Sequence, residues 1–186
     1  SGCKSLSTLD LTNFQTSNVK YMNSMFKDCE SFTTLNLNCL ETENVLNMDS
    51  MFFNCKLLKY LDISEFNTSR VTSMANMFNN CEEIDYLDLN TFDTSKVIQM
   101  EYMFNNCKKL TTILIDKFNT KNVQNMSHMF NYCENLEYLD LNTFDTPKVN
   151  DMKYMFSNCK ELTSLLVDNF YTGNIKDMSY MFENCF

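Results

Sequence analysis

The side chains of this 186-residue chain with chemistry to offer include nine cysteines, 24 aspartates and glutamates and nine tyrosines. Eight cysteines fall at Cys3, Cys29, Cys55, Cys81, Cys107, Cys133, Cys159 and Cys185, every interval being 26 residues; only Cys39 is off the register. Thiols so placed can fill a buried column in the reduced state, since free cysteine packs well in cores. They can also cross-link stacked neighbours, although side chains in register give poor S–S geometry. Metal binding is the weakest of the three, because no C-x-x-C occurs. Cys39 reads as a solvent-accessible thiol without a mechanism. Regular columns of aspartate reflect a repeat rather than a glycosidase pair. With one histidine, His128, and two glycines, His-based triads, His metal clusters and Gly-rich phosphate loops are close to excluded on counts alone. His128 sits off the apolar stripe of its segment and reads as a lone exposed side chain. No catalytic residue set, resident metal or cofactor follows from the sequence.

The elements that position these groups come from the period. Counted from each cysteine, the unit reads C-x-x-L-x-x-L-D-L-x-x-F-x-T-x-x-V-x-x-M-x-x-M-F-x-N, without insertion anywhere. All 14 methionines fall in two columns, Met22 to Met178 and Met25 to Met181, and at helical spacing they read as core. A fixed period of this size marks stacked structural repeats. Within one unit, Tyr86-Leu87-Asp88-Leu89 alternates as a half-buried strand does. Val97, Met100, Met103 and Phe104 recur at i, i+3, i+6 and i+7, one stripe on a helix. Thr94 and its equivalents offer an N-cap, and Pro147 after Thr146 suits the first helical position. Asparagines before the cysteines (Asn106, Asn158, Asn184) tolerate the left-handed conformation of a helix end. The expectation is therefore an α/β solenoid of seven coils, 3–28, 29–54, 55–80, 81–106, 107–132, 133–158 and 159–184, each a short strand plus a short helix. Strands pair in parallel from coil to coil, and the crossovers are right-handed.

The stretch Phe104-x-x-Cys107-x-x-Leu110-x-x-Ile113-x-Ile115 resembles the leucine-rich repeats of BspA-like bacterial surface proteins. The whole unit, with L-D-L, F-D-T-S-x-V and M-x-x-M-F, is similar to the 26-residue repeat of bacterial surface lipoproteins and cell-wall proteins. The resemblance covers the entire chain and implies a right-handed leucine-rich-repeat solenoid on a cell-surface or secreted protein, often an adhesin, with virulence among its associations. One column departs from that pattern. Phe14, Phe66, Phe92, Phe118, Phe144 and Phe170, with Leu40, stand where such repeats place Asn or Cys, which predicts a wider coil without the usual asparagine ladder. A 52-residue period lies inside the shorter one: coils four and six nearly match (Leu87 to Thr94, Leu139 to Thr146), and five and seven match less closely.

Two strand columns point away from the core. One runs Thr8, Thr34, Tyr60, Tyr86, Thr112, Tyr138, Ser164; the other runs Asp10, Asn36, Asp62, Asp88, Leu114, Asp140, Leu166. In a horseshoe they occupy the concave sheet, where solenoids commonly bind. Tyrosines among carboxylates, with two outward leucines, suit protein recognition. The candidate ligand-binding residues are Tyr60, Asp62, Asp85, Tyr86, Asp88, Leu114, Tyr138, Asp140 and Leu166. Asp62 and Asp88 are expected about 4.8 Å apart, which favours a basic partner or a cation; no D-x-D-x-D-G loop supports calcium. The expected partner is a protein, such as a host surface or matrix protein. A net charge of −9 disfavours nucleic acid, and no apolar run is long enough for a transmembrane helix. The chain opens at Ser1-Gly2-Cys3 and closes at Phe186 without polar caps, so it is expected to be a piece of a longer protein or to self-associate through its ends. The alternative to a binding module is a spacer or self-assembling stalk that projects another domain.

Overall fold

Thr34-Leu35-Asn36 sets one apolar side chain between two polar ones, and it forms the first of six three-residue strands in the computed structural model, which describes residues 1–185. Phe186, expected to open a further coil, lies outside the described residues. The strands are β1 (Thr34–Asn36), β2 (Tyr60–Asp62), β3 (Tyr86–Asp88), β4 (Thr112–Leu114), β5 (Tyr138–Asp140) and β6 (Ser164–Leu166). Each lies 26 residues beyond the last, so the sequence period is a spatial one. The central residues, such as Leu35, Leu87 and Leu139, are buried, while the leading residues of β1 to β5 are exposed.

Pairing is parallel, but the sheet is not continuous. β1 pairs with β2, β3 with β4 and β5 with β6, giving three two-stranded sheets. Among the described residues no backbone hydrogen bond joins β2 to β3 or β4 to β5. The expected ladder contact between Asp62 and Asp88 is therefore absent. The pairing has the 52-residue period of the sequence, and its chemical cause is an alternating column after the strands. Asn38 Nδ2 donates to Ser64 Oγ (3.1 Å), Asn90 Nδ2 to Asp116 (3.3 Å), and Asn142 Oδ1 accepts from the Asp168 amide (3.0 Å). Each asparagine reaches forward from the first strand of a pair to the second. Facing residues within pairs avoid like charges: Asn36 meets Asp62, Asp88 meets Leu114, and Asp140 meets Leu166. Across the β2–β3 seam two aspartates and two tyrosines would oppose one another, and like charges directly opposite are unfavourable.

The methionine segment is not a helix. No helix occurs among the described residues. Around Met100, alternate amides leave the coil: Met100 N donates to Asn125 O (3.2 Å), Tyr102 N to Ser127 O (3.0 Å), Phe104 N to Met129 O (2.9 Å) and Asn106 N to Asn131 O (2.7 Å). The amides between them close four-residue turns, Met103 N to Met100 O (3.3 Å) and Asn105 N to Tyr102 O (3.1 Å). A helix would instead bond every amide to the fourth residue back. The apolar stripe that suggested a helix is equally the stripe of consecutive four-residue turns. Isolated parallel bridges at this side link Tyr21 to Asn47, Asn47 to Ser73 and onward to Asp177, so here every successive coil is joined.

Two residues per coil have positive φ. One column, Asp28, Asn54, Asn80, Asn106, Tyr132, Asn158 and Asn184 (φ 56 to 61), includes the asparagines expected to turn the chain before the cysteines. The other, Ser24, Ser50, Asn76, Tyr102, His128, Tyr154 and Tyr180 (φ 56 to 59), falls inside the segment expected to be helical. Positive φ at the third residue of a four-residue turn is the signature of type II geometry and ends any helix.

The threonine column is no N-cap; it ties neighbouring coils together. Thr42 Oγ1 accepts from the Asn67 amide (2.7 Å) and donates to the Asn67 carbonyl (3.1 Å), and Thr146 does the same with Tyr171 (2.8 and 3.1 Å). Thr68 and Thr120, which lead across the two seams, only donate. Asparagine ladders are present after all, in columns other than the phenylalanine one: Asn80 bonds Asn54 (2.7 Å) and Asn106 bonds Asn80 (2.5 Å), and beside them Asn131, Asn105 and Asn79 form a second run.

Between the two sides lies the core. Phe26, Phe52, Phe78, Phe104, Phe130, Phe156 and Phe182 stack at centroid distances of 5.3 to 5.9 Å. The methionine columns of the central coils are fully buried against them, as expected. The nine cysteines are free thiols, and those from Cys29 to Cys159 in the repeat column are buried. Cys55, Cys81, Cys107, Cys133 and Cys159 each donate to the carbonyl of the phenylalanine 29 residues earlier (Phe26, Phe52, Phe78, Phe104 and Phe130) at 3.1 to 3.3 Å.

Candidate functional site

The strand face carries the candidate residues because alternation sends every second side chain outward. The seams gather them. Tyr60, Asp62, Asp85, Tyr86 and Asp88 come together around a cleft of about 240 Å³ between β2 and β3. Leu114, Tyr138 and Asp140 line a second cleft, of about 210 Å³, between β4 and β5. Leu166 belongs to neither; it lies half-buried on β6, opposite Asp140. The three tyrosines are more than half exposed, at 58%, 51% and 54% for Tyr60, Tyr86 and Tyr138.

Three of the carboxylates are held in place by neighbouring donors. The Ser64 hydroxyl donates to Asp62 Oδ1 (2.9 Å) and, with the Asn38 amide, keeps the Asp62 carboxyl below the usual carboxylate range. The Asn90 amide caps Asp88 Oδ1 (3.0 Å) and the Asn142 amide caps Asp140 Oδ1 (2.9 Å), which fixes both side chains over the strands. Tyr138 Oη donates to Asp140 Oδ2 at 3.4 Å; desolvation and then the neighbouring carboxylate push its phenol up. What the arrangement offers chemically is aromatic surface beside fixed negative charge and unpaired strand edges. Among the described residues no three His, Cys, Asp or Glu side chains converge as a metal site.

Sequence reasoning missed residues in both clefts. Lys59, Ser64 and Thr91 join the first, and Asp116 joins the second. Two coils must part for these residues to line a cavity, and the signal that would have found the parting is the alternation of Asn38, Asn90 and Asn142 with Ser64 and Asp116. His128 is also misplaced by the expectation of a lone exposed ring. It is half-buried in a stack, 4.3 Å from Tyr102 and 4.8 Å from Tyr154, which in turn stacks on Tyr180 at 4.7 Å. Burial pushes its imidazole down. All four rings share one column at 26-residue intervals, so the column, read as a whole, would have shown it.

Stacked parallel strands, one per 26-residue coil, around a continuous apolar core define a leucine-rich-repeat-like solenoid. The chain matches the family described as "Mycoplasma protein of unknown function, DUF285" over residues 1–86, 27–114 and 72–186, and it belongs to that family. Among solved structures it is similar to a leucine-rich cell surface protein from Faecalibacterium prausnitzii A2-165, at 20% identity over 79% of this chain and 38% of that one, with a TM-score of 0.53. A leucine-rich repeat protein from Bacteroides ovatus matches at 16% identity over 88% of this chain and 50% of the other, with a TM-score of 0.45. The chain thus spans well under half the length of the first of these structures. No curated protein matches it. The likeness to BspA-like bacterial surface repeats read from the sequence is borne out. No helix among the described residues is long and apolar enough to cross a membrane.

Proposed function

We propose that the chain is a non-enzymatic protein-binding module of a cell-surface or secreted leucine-rich-repeat protein, and that it adheres to host or neighbouring-cell proteins through the strand face. The observation that carries this reading is the cleft that joins exposed Tyr60 and Tyr86 to Asp62, Asp85 and Asp88. Aromatic anchors beside fixed charges are the features that supply binding energy at protein interfaces. The surface setting of the similar F. prausnitzii protein supports the same localisation for this chain.

The test is adhesion to immobilised matrix proteins. The Tyr86→Ala/Asp88→Ala double variant, folded with an unchanged melting temperature, should lose adhesion by about tenfold or more, since hot-spot truncations cost at least about 2 kcal/mol. Undiminished adhesion would remove the strand face from the binding reaction.

The array as a stiff spacer is favoured by a different observation, the unbroken bridges from Tyr21 to Asp177. Concentration-dependent polymers in light scattering, with no matrix protein retained, would select that reading.

A further inference from the structure

Beyond the methionine segment the chain builds an open depression of about 600 Å³, and none of its residues belongs to a strand. Tyr132 stands in it beside Asn106, His128 and Asn131. The column that holds Tyr132 is otherwise aspartate or asparagine: Asp28, Asn54, Asn80, Asn106, Asn158 and Asn184. These residue types tolerate a left-handed backbone. Their carboxamides also bond from coil to coil, as Asn106 Nδ2 does to Asn80 Oδ1 (2.5 Å) and Asn184 Nδ2 to Asn158 Oδ1 (2.9 Å).

Tyr132 shares the backbone but not the bonds. Its φ of 59 suits a bulky side chain poorly. At this rung the ladder breaks: Asn158 Nδ2 turns aside to Ser157 Oγ (2.8 Å), and Asn106 Oδ1 receives no donor among the described residues. The neighbouring ladder ends at the same place. Asn131 Nδ2 donates to Asn105 Oδ1 (2.9 Å), but Asn131 Oδ1 is buried with no partner. Nothing inside the array offsets these losses. The aromatic rings of the other positive-φ column stack on one another, whereas among the described residues no ring stacks on Tyr132 and no group hydrogen-bonds its side chain. It is 42% exposed. A residue that breaks a ladder in an unfavourable conformation, without an internal partner, points to an external one.

The surrounding groups select the ligand. The charged side chains of the depression are already neutralised, Lys108 by Glu82 (2.7 Å) and Glu134 by Lys160 (3.0 Å). Burial pushes the His128 imidazole down, so it too is uncharged at neutral pH. No charge is left to draw an ion. The amides of Asn105, Asn106, Asn131 and Tyr132 all bond within the array, which leaves no free edge for an extended peptide. What remains is a flat apolar ring beside carboxamides, which donate and accept. A pyranose has the matching form, a face of C–H groups with a rim of hydroxyls.

We propose that this depression binds one pyranose residue of a neutral glycan, its C–H face on Tyr132 and its hydroxyls at the broken ladders, where Asn106 Oδ1 and Asn131 Oδ1 lack donors. The site shares no residue with the strand-face clefts.

Isothermal titration of the whole chain with the neutral trisaccharides cellotriose, chitotriose and maltotriose tests this, with trigalacturonate as the acidic counterpart. At least one neutral sugar should bind, and at least about tenfold more tightly than trigalacturonate, one decade in Kd. Tyr132→Asn separates the site from the fold. It restores the residue type of the column, so the melting temperature should hold or rise while sugar binding falls by about tenfold or more. Tyr132→Phe should keep the binding, and Tyr86→Ala/Asp88→Ala should leave it unchanged. Binding by none of the neutral sugars, equal binding of the acidic one, or a titration untouched by Tyr132→Asn overturns the proposal. So does a titration abolished by the strand-face double variant, which would move the sugar to the tyrosine clefts.

Discussion

Thr94 and Asn119 are joined twice: the threonine Oγ1 accepts from the Asn119 amide at 2.7 Å and donates to the Asn119 carbonyl at 3.1 Å. One fully buried hydroxyl thus satisfies both backbone groups of a residue in the next coil. Valine has the same shape and neither capacity. Thr94→Val should lower stability by about 1–3 kcal/mol, the cost of stranding polar groups beside a buried site. Thr94→Ser should recover most of it. Thermal melting of the three proteins decides the matter; equal melting temperatures for valine and serine would deny the bridge its role.

The thiol column makes a prediction about reactivity. Burial pushes the Cys55, Cys107 and Cys159 thiols up to about 12, and drives Cys81 and Cys133 up in the same direction. A soluble thiol reagent should label exposed Cys3 rapidly in the native protein and reach these five only on unfolding. The thiolate is the reacting species, and it is suppressed where water is excluded. The pH dependence has a definite sign. A raised folded value leaves stability intact below about 9 and removes it as pH climbs from 9 toward 12, by up to about 4 kcal/mol for each such thiol. Melting temperatures that stay flat between pH 8 and pH 11 would contradict burial of the column.

His128 should make the fold sensitive to mild acid. Its imidazole is held below the ordinary histidine range chiefly by burial between Tyr102 and Tyr154, against the pull of Asp151; Lys153 adds to the depression. The unfolded chain therefore binds this proton more readily than the native one. Stability is full above about pH 6.5 and declines as pH falls through the lower folded value. His128→Tyr keeps the stack and a residue type already found at positive φ in Tyr102 and Tyr154. The difference in melting temperature between variant and parent should widen from pH 7.5 to pH 5. A constant difference would show that the ring titrates as it does in water.

Much of the strand side was legible in the sequence. The columns headed by Tyr60 and Asp62 predicted which side chains face outward, and the register Tyr86 to Thr112 and Asp88 to Leu114 follows the 26-residue spacing. Asparagine before cysteine correctly announced a left-handed residue, as at Asn80 and Asn106. The helix failed because periodicity reports which side chains are buried, not where the amides point. Met100, Met103 and Phe104 are buried in either structure, but the Met100 and Phe104 amides bond forward to Asn125 and Met129. Such bonds depend on a neighbouring coil, which no single window of sequence contains. The seams were within reach: Asn38, Asn90 and Asn142 are printed in the chain at twice the unit length, but their meaning depends on which neighbour each amide chooses.

That choice has a mechanical consequence. Along the methionine side every coil is fastened to the next, while along the tyrosine side fastening skips alternate junctions. A body bound this way resembles a book sewn at the spine and left uncut in pairs of leaves. Any bending of the array is therefore expected to concentrate at Tyr60–Tyr86 and Thr112–Tyr138, where strand pairing is interrupted, rather than to spread evenly along its length.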